Sequence, residues 1–460
     1  MLIENLHIHD IADDGMAVGR YNDWVVFVKG AVPGDIIHAR VFKKKKKYGF
    51  ASLEEIVTPS EKRITPVCTH FGICGGCKWQ SLDYEAQLAF KQNMVTNAFK
   101  HLAGIQYYET EPIIGCDNIY HYRNKLEYTF SNKRWFTADE MHLTEPLAAN
   151  GLGFHVPGRF DKVLDIQTCH LMDNRHNDLR NIIKSFCLAN DYSFYDIKSQ
   201  VGLMRTLLIR TTQAGDWMVV LVFGNHDLEK IASLMQAIKN EFSFITSLQY
   251  IINTKKNDTY FDLDPVCYHG NTHIMERMDD LTFRISVKSF FQTNTAQAIQ
   301  LYRKTAALAN LQCDHIIYDL YTGTGTIANY IARSCKKVVG IDYVKDAIED
   351  ARQNSMLNNI NNTAFYAGDM KRILNDDFIC THGQPDVVFA DPPRAGMDKE
   401  VIQQLIHTGA KRIVYVSCNA ATQARDVALL SEHYSVQSMQ AFDMFPHTHH
   451  VENIALLVHK

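Results

Sequence analysis

The spacing of apolar positions divides the chain into three stretches. From Met1 to about Pro59, apolar and polar residues alternate between glycine and proline turns, as in GMAVGRYNDWVVFVKGAVPGDIIHARVF. Short strands at that spacing predict a small β-barrel. From about Leu82 to Lys288 the pattern is mixed: SLDYEAQLAFKQNMVTNAFKHL carries apolar residues at helical spacing, whereas LLIRTTQAGDWMVVLVFG reads as two strands around a Gly-Asp turn. No internal repeat or low-complexity linker interrupts it. From Ser289 the pattern becomes strand, glycine turn and helix in alternation, through HIIYDLYTGTGTIANYIA, KKVVGIDYVKDAIEDARQNSMLNN, PDVVFADPPRAGM and KRIVYVSCN. That order predicts a doubly wound sheet. The expected fold class is therefore α/β, with a β-barrel over residues 1–60, a central α+β unit over 61–288 and a Rossmann-like unit over 289–460.

A length of 460 residues accommodates such an arrangement. The net charge of −4 does not mark a strongly basic nucleic-acid binder, but Lys43–Lys47 form a local basic run. Alone, a lysine run is more often a solvated hairpin than a contact. The start MLIENLHIHD lacks a basic segment followed by an apolar one, and no stretch reaches the roughly 18 apolar residues of a membrane span. The expectation is a cytoplasmic protein with no membrane partner.

In that reducing compartment the 11 cysteines point to metal binding or catalysis rather than disulfides. Cys68, Cys74 and Cys77 have the spacing C-x5-C-x2-C, which suits thiolates converging on a soft metal centre. Cys116, Cys169 and His70 are candidates for a fourth ligand, and spacing alone leaves zinc and an iron–sulfur cluster both open. The pattern differs from the C-x3-C-x2-C of radical enzymes.

The glycine turn DLYTGTG and Asp342 at the end of the next strand form a nucleoside-binding arrangement. Asp319 before the turn would repel a diphosphate but not a zwitterionic amino acid beside a sulfonium, which favours S-adenosylmethionine over a dinucleotide. ADPPRAGM places Asp391 and a stiff loop at another strand end; Arg394 stands where methyltransferases of exocyclic amines carry an aromatic. Cys418 follows an apolar strand, a position that is usually packing. Methylating carbon 5 of uracil, however, needs a thiolate to add to carbon 6 and a base to remove the carbon-5 proton. Cys418 and Glu452, of HHVENIALL, would meet that need.

With these residues assembled, the chain resembles the RNA uracil-5 methyltransferases, and within them the iron–sulfur type acting on 23S rRNA. The resemblance runs over Gly15–Gly19, the VPGD turn and the lysine run of a TRAM-like barrel, the CGGC stretch with LDYEAQLAFK, and SFFQTN, DLYTGTGT, DPPRAG, YVSCN and HVE. It implies Cys418 as nucleophile and Glu452 as base, and Gln292, Tyr321, Asp342 and Asp391 as S-adenosylmethionine-binding residues. It also implies Cys68, Cys74, Cys77 and Cys169 as ligands of a [4Fe–4S] cluster. RNA is the implied partner, 23S rRNA first and tRNA as the alternative, bound by a monomer and presenting an unpaired uridine. The barrel lysines and Arg123, Lys125, Arg134 and Arg205 are expected to grip it. Ser81, Thr322 and Asp342 depart from the commoner family residues without removing a required group. Against a tRNA enzyme stand the barrel and the cysteines, which that branch usually lacks; a cytosine-5 enzyme would pair its cysteine with a preceding proline. A non-catalytic RNA-binding or ribosome-assembly factor would not need Cys418, Gln292 and Glu452 together.

Overall fold

A computed structural model describes residues 1–105, 109–137, 140–142 and 147–460. The first strands, Leu2–Ile11, Ala17–Tyr21, Trp24–Lys29, Ile36–Lys44 and Tyr48–Thr58, close into a barrel. Alternation explains the closure: Ile3, Leu6, Ile8, Val26, Val28 and Ile37 turn inward into one core while their neighbours face water. At one hairpin tip Lys43–Lys47 are exposed. The Lys43 ammonium lies 5.6 Å from the ring centroid of Phe50, and that of Lys44 5.7 Å from Trp24.

The VPGD turn is held by Asp35, which is fully buried. Its carboxylate accepts the N–H of Val32 at 2.7 Å, that of Ser60 at 2.9 Å and the Arg63 guanidinium at 2.5 Å. The turn is thereby tied to the segment leading into the cysteines. Burial raises the Asp35 pKa, but the Arg63 hydrogen bond and the two N–H donors outweigh it and hold the carboxyl below its usual range.

Next comes an eight-stranded sheet in the order Val266–Gly270, Ser247–Ile252, Trp217–Phe223, Met204–Thr211, Lys125–Ser131, Gly151–Val156, Arg159–Asp165 and Arg134–Trp135. The predicted Gly-Asp turn is there, with Thr211 opposite Trp217. The helices Arg175–Ala189 and Leu228–Glu241 bury their apolar sides in the same core.

The C-terminal sheet has the order Thr363–Ala367, Lys337–Asp342, Ile316–Leu320, Val387–Ala390, Arg412–Ser417, Glu452–His459, Tyr434–Phe442 and Glu109–Ile114. The strands from Thr363–Ala367 through Arg412–Ser417 are parallel. Val387–Ala390 is buried throughout, as expected of a parallel strand covered on both faces. Chain order reverses between Ile316–Leu320 and Val387–Ala390, which opens a crevice at the carboxyl ends of the strands. The last strand, Glu109–Ile114, comes from the stretch 61–288 and pairs with Tyr434–Phe442. The helix Tyr84–Ala98 from the same stretch packs on Ala420–Leu430. Among the described residues no helix is long and apolar enough to cross a membrane.

Replacing Asp35 by Asn is expected to cost about 2 kcal/mol at pH 7, the usual worth of hydrogen bonds to a charged group. Because the folded pKa is depressed, that stabilisation is present above the unfolded value near pH 4 and is lost as pH falls through the folded value. Thermal melts should therefore show the wild-type advantage at neutral pH and its shrinkage in acid.

Candidate active site

Every strand bordering the crevice ends in a residue singled out from the sequence. After Ile316–Leu320 the chain turns at Tyr321, whose φ of 63° is left-handed and unusual for a bulky residue. Asp319, one residue from the strand end, is buried; Thr322 donates to its Oδ2 at 2.5 Å, while its Oδ1 has no close hydrogen-bond partner among the described residues. Burial and the neighbouring Asp391 push the Asp319 carboxyl up to about 7. Asp342 accepts the N–H of Gly323 on one oxygen and of Val344 on the other, each at 2.9 Å, which leaves further lone pairs for a ligand. A Cβ at Gly323 (φ 54°) would meet no atom within 4 Å, so the loop faces open space there.

Cys418 and Glu452 come together through strand register. Ser417 pairs with Asn453 across the antiparallel strands Arg412–Ser417 and Glu452–His459, and Cys418, the residue after the last paired position, lies near enough to Glu452 to feel its charge. Glu452 is 6% exposed; burial and Asp391 raise its pKa well above the usual carboxylate range, and Arg394 opposes them. Burial, Glu452 and Asp391 push the Cys418 thiol up to about 11, again against Arg394. Burial alone raises Asp391 to about 7. The loop carrying Arg394 is fastened to the helix Ala420–Leu430: the Arg394 carbonyl accepts Asn419 Nδ2 and Thr422 Oγ1, each at 3.1 Å. Asn419 caps that helix through Ala421 and Thr422.

Gln292 borders the same space, because its loop is pinned by Asn124, whose Nδ2 donates to the Gln292 carbonyl and to Thr295 Oγ1, each at 2.9 Å. One site residue escaped the sequence reading. Tyr302, on the helix Thr295–Ala309, is 5% exposed and has its pKa raised by burial and by Asp391, Asp319 and Glu452, with Gln292 hydrogen-bonded to it. At helical spacing it looks like any core aromatic, and nothing local signals that its hydroxyl faces carboxylates.

Cys68, Cys74, Cys77 and Cys169 line one cavity of about 520 Å³ with Gln80, Arg123 and Thr293, whereas Cys116 is turned away toward Asp443. Burial raises all four thiols, and neighbouring cysteines add to it at Cys74, pushed up to about 12, and at Cys77, pushed up to about 11. Among the described residues no group of three His, Cys, Asp or Glu side chains is close enough to hold a single ion. The cavity does supply the donor type that an iron–sulfur cluster takes, cysteine sulfur.

Of the basic residues expected to grip RNA, Arg205 is turned inward. It is 2% exposed, and its guanidinium donates to the carbonyls of Asn253 at 2.6 Å, Lys255 at 2.8 Å and Asn257 at 2.9 Å. Those bonds make it a loop anchor. Arg134 is paired with Glu140 at 2.8 Å, and Arg123 faces the cysteine cavity.

The chain matches the tRNA (Uracil-5-)-methyltransferase family over residues 198–460 and the TRAM domain over residues 2–53. It is 50% identical to an uncharacterized RNA methyltransferase of Porphyromonas gingivalis, covering 98% of this chain and 99% of that one. It is 47% identical to another from Bacteroides thetaiotaomicron, over 97% and 99%. Among solved structures it resembles the Pyrococcus abyssi tRNA (uracil-54, C5)-methyltransferase in complex with S-adenosyl-L-homocysteine, with 30% identity and a TM-score of 0.77 over 98% of this chain and 99% of that one. A tRNA enzyme therefore matches almost the whole chain, barrel included. The sequence expectation counted the barrel against a tRNA enzyme; a match of this extent to one means that the barrel alone does not decide between rRNA and tRNA.

Arg394 lowers the Cys418 pKa, so Arg394→Met should raise it and reduce the thiolate fraction at any fixed pH. Alkylation of the Cys418 peptide by iodoacetamide, followed by mass spectrometry, should slow about tenfold at pH 8 for about one unit of added shift.

Proposed function

The chain belongs to the RNA uracil-5 methyltransferase family, which takes its methyl group from S-adenosylmethionine, and on that premise we propose that Cys418 and Glu452 carry out methylation of a uridine at carbon 5. The observation that carries this reading is the nearness of Cys418 and Glu452 at the ends of two paired strands, with Arg394 acting on both. The Cys418 thiolate adds to carbon 6, forming an S–C bond and moving the C5–C6 π electrons onto carbon 5 and its conjugated carbonyl. S-adenosylmethionine supplies an electrophilic sulfonium methyl to carbon 5 and departs as the neutral thioether. Glu452 then accepts the carbon-5 proton; the C–H electrons restore the C5–C6 double bond and the S–C6 bond breaks, returning the thiolate. Burial suits Glu452 to this step, because a carboxylate with a raised pKa is a stronger base once ionised.

Gln292, Tyr321, Asp342 and Asp391 are the proposed cofactor-binding residues. The two N–H bonds fix the Asp342 carboxylate for ribose hydroxyls, and Asp319 Oδ1, with no close partner among the described residues, suits an ammonium donor. Cys68, Cys74, Cys77 and Cys169 are the proposed holders of a [4Fe–4S] cluster, supported by their common cavity. Methyl transfer moves no net electrons, so a cluster held there would staple the fold or position RNA rather than carry redox chemistry. The proposed target is an unpaired uridine of 23S rRNA, reached by a monomer in the cytoplasm, because the base must leave its stack to meet Cys418. The Pyrococcus abyssi likeness favours a second reading, a tRNA uridine.

Cys418→Ala should form neither 5-methyluridine nor a covalent RNA adduct. Incubating wild-type protein with 23S rRNA and tRNA in competition and mapping 5-methyluridine decides the target: methylation of tRNA alone would reverse the rRNA proposal. Cys74→Ser should lower bound iron from about four per chain while leaving S-adenosylhomocysteine binding intact; unchanged iron would remove Cys74 from the ligand set.

A further inference from the structure

The segment from Asp443 to Val451, which leads into Glu452, is held largely from the N-terminal half of the chain. Lys91 and Asp443 form an ion pair at 2.6 Å with both side chains fully buried, and Lys91 also donates to the Phe445 carbonyl at 3.1 Å. Tyr122 donates its hydroxyl to the Pro446 carbonyl at 3.1 Å. The centre of the arrangement is His447. Its N–H donates to Gln87 Oε1 at 2.8 Å, and its carbonyl accepts the N–H groups of Lys78 at 2.9 Å and Trp79 at 3.0 Å, the two residues after Cys77. Gln87 Nε2 donates to the carbonyls of Trp79 at 3.1 Å and Leu82 at 2.8 Å and lies 3.3 Å from the His447 ring nitrogen Nδ1. Tyr120 stacks on that ring with centroids 4.5 Å apart.

This is more fastening than a loop requires. Gln87 and His447 are both fully buried. His447 has a φ of 66°, a left-handed conformation that a non-glycine residue keeps only where its surroundings over-determine it. The path onward is short and tied: Thr448 N donates to the Phe445 carbonyl at 3.2 Å, and His450 N to Thr448 Oγ1 at 3.2 Å. Displacing His447 therefore displaces the entry to the strand that carries Glu452.

We propose that Gln87 is a positioning residue for Glu452, clamping His447 to the end of the cysteine loop so that the Glu452 carboxyl stays in register with Cys418. The inference rests on the reading of Glu452 as the base. It gives the cysteine stretch a task in the reaction that needs no electron transfer: the Lys78–Trp79 backbone is one jaw of the clamp and Gln87 is the other. A base that is out of place leaves thiolate addition and methyl transfer intact and stalls the release of the adduct. A general loss of folding would instead weaken every step together.

The test compares wild type, Gln87→Ala, Tyr120→Leu and Glu452→Gln, each with S-adenosylmethionine and an RNA that the wild-type protein methylates. Covalent protein–RNA adduct is read on a denaturing gel, kcat and KM from methyl incorporation, and S-adenosylhomocysteine affinity from calorimetry. Gln87→Ala is expected to lower kcat by about tenfold or more, as misplacement of a reacting group does, while KM for RNA and the S-adenosylhomocysteine affinity change by less than about twofold. It should accumulate adduct as Glu452→Gln does, and Tyr120→Leu should do so to a smaller degree. If Gln87→Ala fails to fold, Tyr120→Leu alone carries the comparison. Adduct with Glu452→Gln but with neither clamp variant would overturn the inference and leave the base reading standing. No adduct with Glu452→Gln would overturn both.

Discussion

Burying Glu452 beside Asp391 is the constraint on which the site depends. Burial raises both carboxyls, Asp391 raises Glu452 further, and the Arg394 guanidinium is the charge that opposes the shift at Glu452. The same guanidinium draws the Cys418 thiol down toward ionisation, against burial and both carboxyls. The proposed base and nucleophile thus share one cation, and the loop that holds it is fastened through the Arg394 carbonyl, which accepts from Asn419 and Thr422. A carboxyl kept this far from water is costly unless it is useful, and uracil C5 methylation needs a base whose affinity for a proton is high.

The remainder of the molecule serves to hold that constellation. Parallel strands deliver Asp319, Asp342 and Asp391 to one edge, and the reversal of strand order opens the space between them. An antiparallel strand then returns Glu452 to the same edge, which a purely parallel sheet could not do without another crossover helix. Beyond it the sheet is completed by Glu109–Ile114, and the turn ahead of Glu452 is fastened to Lys78, Trp79, Gln87 and Lys91. The region before residue 288 therefore helps to build the scaffold around the crevice.

What was legible in the sequence was local. Two-residue alternation disclosed the barrel, and apolar runs ending in aspartate or cysteine disclosed the crevice, because strand ends in an α/β sheet fall at one edge whatever their order. Contacts between distant segments were not legible. Nothing local pointed to Glu109–Ile114 as a strand of the C-terminal sheet, where it pairs with Tyr434–Phe442. Tyr302 has the spacing of a core aromatic, and Gln87 that of a polar residue on a helix; their roles appear only when residues hundreds of positions away arrive beside them. Arg205 fails for the same reason in reverse. A basic residue in a β-rich stretch reads as surface, whereas the fold closes the Asn253–Asp258 loop over it.

The most direct measurement of the central claim is tritium release from RNA labelled at uracil carbon 5, with wild-type protein and S-adenosylmethionine. Loss of that hydrogen to water in step with methyl incorporation is the result expected if Cys418 activates the ring and Glu452 removes the proton. Methyl incorporation without tritium release would place the methyl group elsewhere on the RNA and contradict the account.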